Sequence, residues 1–341
     1  MIRMLRFPLF FMMASVLAFS AACGGDKATQ VASEEAREGR DRELLTEGIE
    51  SLQKGRYTQS RLLMSTLINT YPDSSLLPVT KLAIADSYYR EGSTSSMNQS
   101  EIEYRDWLQF FPRHHLADDV MLKIAEVHLR QIQASDRDTS QARLAERQLL
   151  RLLEQFPDTE LKERAEQQLW EVREVLALHE LKVARFYAKQ RQAYRAVEWR
   201  TKEILDKYPG FSMTDEALYL RGIAMFEQED AYEAVANFTR LARNYPESEY
   251  YGEAVDFLKR LDAEVPEPAD PAERPAERGE RPGVVGRVLG AISRPRVSDI
   301  DEDGVLFKKE DSVQAAVERA MQFSVAPTTG ATAGTSSTGT N

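Results

Sequence analysis

The sequence predicts an all-α protein, a right-handed superhelix of about five stacked helix pairs followed by a disordered C-terminal tail. Three observations carry that expectation. Aromatic–proline pairs recur at Tyr71-Pro72, Phe111-Pro112, Phe156-Pro157, Tyr208-Pro209 and Tyr245-Pro246, their first residues 40, 45, 52 and 37 apart. Periods in this range mark stacked helical repeats. Two distant windows, residues 41–74 and 215–248, obey one register. After Leu261 the chain turns to EVPEPADPAERPAERGERPG, too rich in proline and charge to build a core.

Each aromatic–proline pair reads as a helix end. Proline cannot donate to the backbone ladder and restricts the residue before it, so the helical pattern stops there. In the last window Leu218 and Gly222 fall on a first helix, and small Gly222 lets the second helix come close. Ala234, Phe238, Leu241 and Pro246 fall on that second helix and its terminator. The first window repeats the scheme with Leu44, Gly48, Leu52, Gly55, Ser60, Met64, Leu67 and Pro72. Both resemble the tetratricopeptide pattern.

The middle units are looser. The second keeps Tyr88, Ser100, Tyr104, Trp107 and Pro112, with a lengthened turn from Gly92 to Asn98. The third starts near Ala117, carries an inserted loop from Ala134 to Thr139, and continues with Ala145, Leu149 and Leu152. Thr159 to Gln190 holds neither proline nor glycine and predicts one long helix or two abutting ones. A fourth unit follows with Tyr194, Val197, Ile204 and Pro209. The repeat domain is therefore expected over residues 41–262, each pair burying its apolar face mainly against its neighbours.

Such a stack offers a groove lined by first-helix positions. Those positions hold Leu45, Ile49 and Tyr89 in the first two units, and Tyr219, Ile223 and Phe226 in the last. They form the expected partner groove, suited to extended or helical peptide segments. The same apolar rows also fit simple packing between neighbouring repeats.

Forty-four basic against 55 acidic residues leave a net charge of −11, which argues against nucleic acid as a partner. One cysteine excludes an intramolecular disulfide, and four scattered histidines make no metal cluster. His114-His115 falls on a turn where adjacent side chains are expected to point apart into solvent. No Ser/His/Asp arrangement or phosphate-cradling glycine loop is present. The expectation is a protein with no catalytic residues, no metal and no cofactor.

Residues 1–22 read as an export signal. Arg3 and Arg6 precede an apolar run from Phe7 to Phe19, and Ser20-Ala21-Ala22 supplies small residues before the cleavage point. Thirteen apolar residues rise only about 20 Å as a helix, short of the roughly 30 Å hydrocarbon core. The sole cysteine, Cys23, follows at once. This arrangement resembles the bacterial lipobox, in which the cysteine receives lipid and becomes the N-terminus; Ser20 stands where that motif usually has Leu. Ordinary cleavage after Ala22 fits the same small residues, but leaves an exported protein with one unpaired cysteine. Covalent lipid on Cys23 is expected, with residues 23–40 as a flexible tether. Gly24 in place of an aspartate at the second position points to the outer membrane.

The tail, residues 263–341, is expected to be a Pro/Glu/Arg-rich linker and mostly disordered. One short amphipathic helix is expected at 310–323, capped by Ser312, with Val313, Val317, Ala320 and Met321 as its apolar stripe.

A lipoprotein signal joined to about five such repeats resembles the BamD family, lipoproteins of the machinery that assembles β-barrels in the outer membrane. The resemblance runs from Glu43 to Leu261 and is sharpest in DRDTSQARLAERQLLRLLEQFPDTEL (136–161) and HELKVARFYAKQRQAYRAVEWRTKEILDKYP (179–209). It implies a non-enzymatic scaffold on the periplasmic face of the cell outer membrane. Its implied partners are the barrel subunit with its periplasmic repeat domains, unfolded outer-membrane protein clients, and the membrane through the lipid. The long tail departs from that family. An alternative is a periplasmic repeat scaffold that coordinates cell-wall synthesis or envelope constriction.

Overall fold

The computed structural model describes residues 27–132, 138–275, 300, 303–308 and 311–325. The signal segment and Cys23 lie outside the described residues, as does most of the loop expected at Ala134–Thr139. Among the described residues every regular element is helical. The first six helices are α1 (Lys27–Gln53), α2 (Tyr57–Thr70), α3 (Leu77–Glu91), α4 (Thr94–Phe110), α5 (Ala117–Arg130) and α6 (Ser140–Gln155). Then come α7 (Lys162–Phe186), α8 (Tyr194–Lys207), α9 (Thr214–Glu227), α10 (Ala231–Asn244), α11 (Tyr251–Arg260) and α12 (Val313–Val325). Consecutive helices pair, α1 with α2 through α9 with α10, and each pair packs on the next. α11 closes the far end, and α12 returns to pack on α1 and α3.

The joints between pairs are near copies of one another. Tyr71, Phe111, Phe156, Tyr208 and Tyr245 are all helix C-caps, with φ between −121 and −130° and ψ between 53 and 69°. Each donates its N–H to the carbonyl four residues earlier, closing the last bond of the helix before a proline that has no N–H to add another. Three residues later the turn is latched by a side chain. Ser74 Oγ bonds the Asp41 carboxylate, while Thr159 and Ser248 hydroxyls donate to Asp118 and Asp215 at 2.6 Å each. The partner carboxylate lies on the first helix of the pair that the turn ends, so the latch ties the joint back onto that pair. In the second pair His114 stands at this position, and its Nδ1 accepts from Leu116 N at 3.2 Å.

Close approach inside a pair depends on missing side chains. A Cβ on Gly222 would stand 2.5 Å from Phe238 Cε1 and 2.7 Å from its Cζ, so only glycine lets α9 and α10 meet there. Gly48 plays the same part on α1 against the tip of Met64, at 2.6 Å. Three apolar clusters result. One spans α1 to α5 with the returning tail, one the middle helices, and one α9 to α11.

The structure corrects three expectations. Residues 27–40, expected as a tether, continue α1, because ATQVASEEAR is built from good helix formers with no breaker but Gly39. Of the two arrangements expected for 159–190 the single long helix forms, α7 at Lys162–Phe186, followed by a π-helical turn at Tyr187–Arg191 that ends on Gln192 at φ 50°. The described part of the tail is seated on the repeats. Ala269 N donates to Arg243 O at 2.8 Å, and Ala263 and Val265 pack on the C-terminal core. Finally, His114 and His115 stack on each other at 4.1 Å, with Phe323 of α12 4.9 Å from His115. The expected helix at 310–323 forms as α12, and Ser312 Oγ caps it by accepting from Ala315 N at 3.2 Å.

Candidate partner-binding surface

The expected groove residues are covered at both ends of the stack. Leu45, Ile49 and Tyr89 are fully buried in the N-terminal core. Two cations of α5, Lys123 Nζ and the Arg130 guanidinium, each stand 4.6 Å from the Tyr89 ring centre. These three residues are core and not a lining, because the first-helix row is taken up by neighbouring helices and by the returning tail.

Tyr219, Ile223 and Phe226 are half-buried in the C-terminal core. α11 and the turn before it take their outer faces. Tyr219 stacks on Tyr250 at 4.6 Å and donates its hydroxyl to Glu253, while Phe226 meets Phe257 edge-on at 5.2 Å. Burial raises the Tyr219 hydroxyl pKa, and the Glu253 carboxylate raises it further. The row therefore serves as the seat of the closing helix.

Large apolar side chains left to solvent lie elsewhere. Among the described residues of the C-terminal half they are all aromatic: Phe186 at the end of α7, Trp199 on α8 and Tyr232 on α10, with Trp199 70% and Tyr232 82% exposed. The Arg191 guanidinium stands 5.9 Å over the Phe186 ring, beside the π-helical turn. Large exposed aromatics are the residue type most enriched at protein interfaces. In the N-terminal half Leu62, Ile102, Phe110 and Leu150, on second helices of their pairs, are exposed.

Buried charge holds the helices together. Glu126 accepts from Lys123 at 2.7 Å and Arg164 at 2.6 Å, and Arg185 grips Glu216 through two 2.5 Å bonds. Glu101 is held down at about 2 by the His128 ring, whose Nε2 stands 3.5 Å from its carboxylate, and by Arg105, against the opposing effect of burial. Burial pushes Glu174 up to about 7, although Ser212 donates both its N–H and its hydroxyl to it. Asp119 rises to about 6 through burial and the neighbouring Asp118. Among the described residues no cluster of His, Cys, Asp and Glu could hold a metal ion.

One polar site was missed by sequence reasoning. Asp86 lies on the core face of α3, fully buried, and accepts from Tyr104 Oη at 2.7 Å and from two backbone N–H groups of the returning tail. Burial raises its pKa, and the three donors oppose that rise. Its signal in the sequence is a carboxylate four residues after Leu82 and three before Tyr89, in line with apolar positions.

The comparisons with known proteins follow this arrangement. A family described as outer membrane lipoprotein (YfiO) matches residues 37–226, and a tetratricopeptide repeat family matches 216–248. An outer membrane protein assembly factor BamD of Pasteurella multocida is 27% identical over 234 residues, 65% of this chain and 83% of that protein. Its counterpart in Haemophilus influenzae is 27% identical over 213 residues, covering 58% and 77% of the two chains. That of Neisseria gonorrhoeae is 25% identical over 218 residues, covering 61% and 80%. The first match takes in four of the five helix pairs and most of the first helix of the fifth, and the chain belongs to the YfiO family of outer membrane lipoproteins.

Proposed function

We propose that this chain is an outer-membrane protein assembly factor, a lipid-anchored scaffold on the periplasmic face that positions partners and performs no chemistry. The observation that carries the reading is the family match laid over four pairs of a latched helical stack. A rigid stack with repeated joints suits a part that holds other proteins at fixed spacing. Lipid on Cys23 would fix the near end at the inner leaflet. The C-terminal pairs would dock on the membrane-embedded barrel subunit, and unfolded clients would arrive at the N-terminal half. Exposed Phe186, Trp199 and Tyr232 support the docking assignment, being large aromatics that this chain leaves uncovered.

The test is affinity purification of the tagged full-length protein from detergent-solubilised envelopes, read by mass spectrometry. Stoichiometric recovery of a large barrel protein with repeated periplasmic domains is expected. Trp199→Ala should reduce that recovery at least about tenfold without lowering the melting temperature, as truncation of an exposed anchor does. Recovery of cell-wall synthesis proteins with no barrel subunit would overturn the reading.

A further inference from the structure

The N-terminal repeats hold a seat for residues 303–308 and 311–325. α3 supplies its polar part. Asp86 accepts from the backbone N–H of Val305 at 3.1 Å and of Leu306 at 3.3 Å. One turn on, Arg90 pairs with the Asp303 carboxylate at 3.0 Å and reaches the Phe307 carbonyl at 3.5 Å. Gly304 lies so close that a Cβ there would overlap the Asp86 carboxyl group. Leu306 and Phe307, each 1% exposed, enter the N-terminal core, and α12 lays Ala316 and Ala320 against it.

This is the construction of a recognition site. A buried carboxylate is costly unless donors reach it, and two of its donors come from a segment more than two hundred residues away. Two consecutive main-chain donors on one carboxylate fix a bent backbone whatever its side chains, so side-chain choice rests on the flanking groups. Arg90 selects an acidic residue, the Asp86 surface selects glycine, and the apolar core selects the two residues that end in an aromatic. The repeats pair with one another independently of this segment, so it can leave as a unit.

We propose that the cleft at α1 and α3 is a binding site for a bent peptide segment bearing an acidic residue, a glycine, and apolar residues ending in an aromatic. Residues 303–308 and 311–325 are its resident ligand, and a partner segment of the same chemistry enters by displacing them. The site does not rest on the assembly role, since it needs only this chain and a peptide.

The probe is a fluorescent synthetic peptide of residues 300–325, titrated by anisotropy against three full-length chains: unmodified, Gly304→Val and Phe307→Glu. Trypsin cleavage at Lys308 reports release of the resident segment, and thermal melting reports the repeats. A tethered competitor acts at an effective concentration of order millimolar, so both variants should bind the peptide at least about tenfold more tightly than the unmodified chain. Asp86→Asn added to the Gly304→Val chain should weaken that binding again by about tenfold. A peptide carrying Gly304→Val should not bind. The proposal is overturned if the released chains bind no more tightly, if neither variant speeds cleavage after Lys308, or if the altered peptide binds equally well. It is also overturned if both variants melt the repeats, because the segment is then an irremovable part of the core.

Discussion

The two ends of the helical stack solve one problem in opposite ways. Each end has a first-helix row of apolar side chains that needs cover. At the C-terminal end the cover is the next helix: α11 follows its joint directly and takes Tyr219 and Phe226. At the N-terminal end it is a segment whose hydrogen bonds to Asp86 span more than two hundred residues. Closing a long loop adds only a few kcal/mol of entropy, so the fold tolerates the distant return. Detachment is where they differ. A local cap folds with its repeat, whereas a returning segment can open without disturbing the pairs beneath it.

The sharpest way to break this comparison is to cut one apolar anchor at each end. Leu258→Ala in α11 removes a fully buried side chain and should lower global stability by about 2–5 kcal/mol in denaturant titrations. Phe307→Ala should lower it less, although Phe307 is as deeply buried, because the loss cannot exceed the free energy with which its segment docks. Faster hydrogen exchange confined to α12 and the face of α3 should accompany it. Equal global losses from the two changes would make the ends alike.

A second comparison concerns the two glycines at the helix crossings. Gly222→Ala meets the edge of the Phe238 ring and should cost about 1–3 kcal/mol, measured by thermal or chemical unfolding. Gly48→Ala meets only the end of Met64, which can swing aside, and should stay within about 1 kcal/mol of neutral. A larger loss at Gly48 would mean that the N-terminal pair is the more tightly packed of the two.

The smallest effect belongs to the middle of the stack and depends on pH. Glu174 sits at about 7 in the folded chain, above its ordinary 4.5. The folded state therefore holds a proton that the unfolded state has released between those values. Stability from this group falls as pH rises from about 4.5 through 7 and is level beyond. Glu174→Gln should match the unaltered chain near pH 4.5 and exceed it by about 1–2 kcal/mol at pH 8. Thermal melts at both pH values check this, and an equal difference at the two would show that folding does not raise the Glu174 pKa.

Much of the architecture was legible because its punctuation is local. A proline after an aromatic stops a helix whatever surrounds it, and all five such pairs are helix ends. Gly222 could be read for the same reason, since a helix crossing needs a small residue in a fixed register. The groove could not be read this way. An apolar stripe such as Leu45 and Ile49 says that something will cover that face, and is silent on whether a partner, a neighbour or the chain's own end does so. Asp86 stood out only as a carboxylate on a core face, because its partners at Val305 and Leu306 are backbone groups with no sequence signature. The seating of the tail was hidden by its flanking prolines and charges, which describe the linker and not the short apolar stretch at 304–307.

The repetition of the joints has a dimensional consequence. Five turns with nearly the same backbone angles make each unit a fixed increment, like a graduation on a ruler. The reach from the near end to α11 is then a matter of counting units, and splicing one in or out should shift the far end by a layer of about 10 Å while leaving every other joint unaltered.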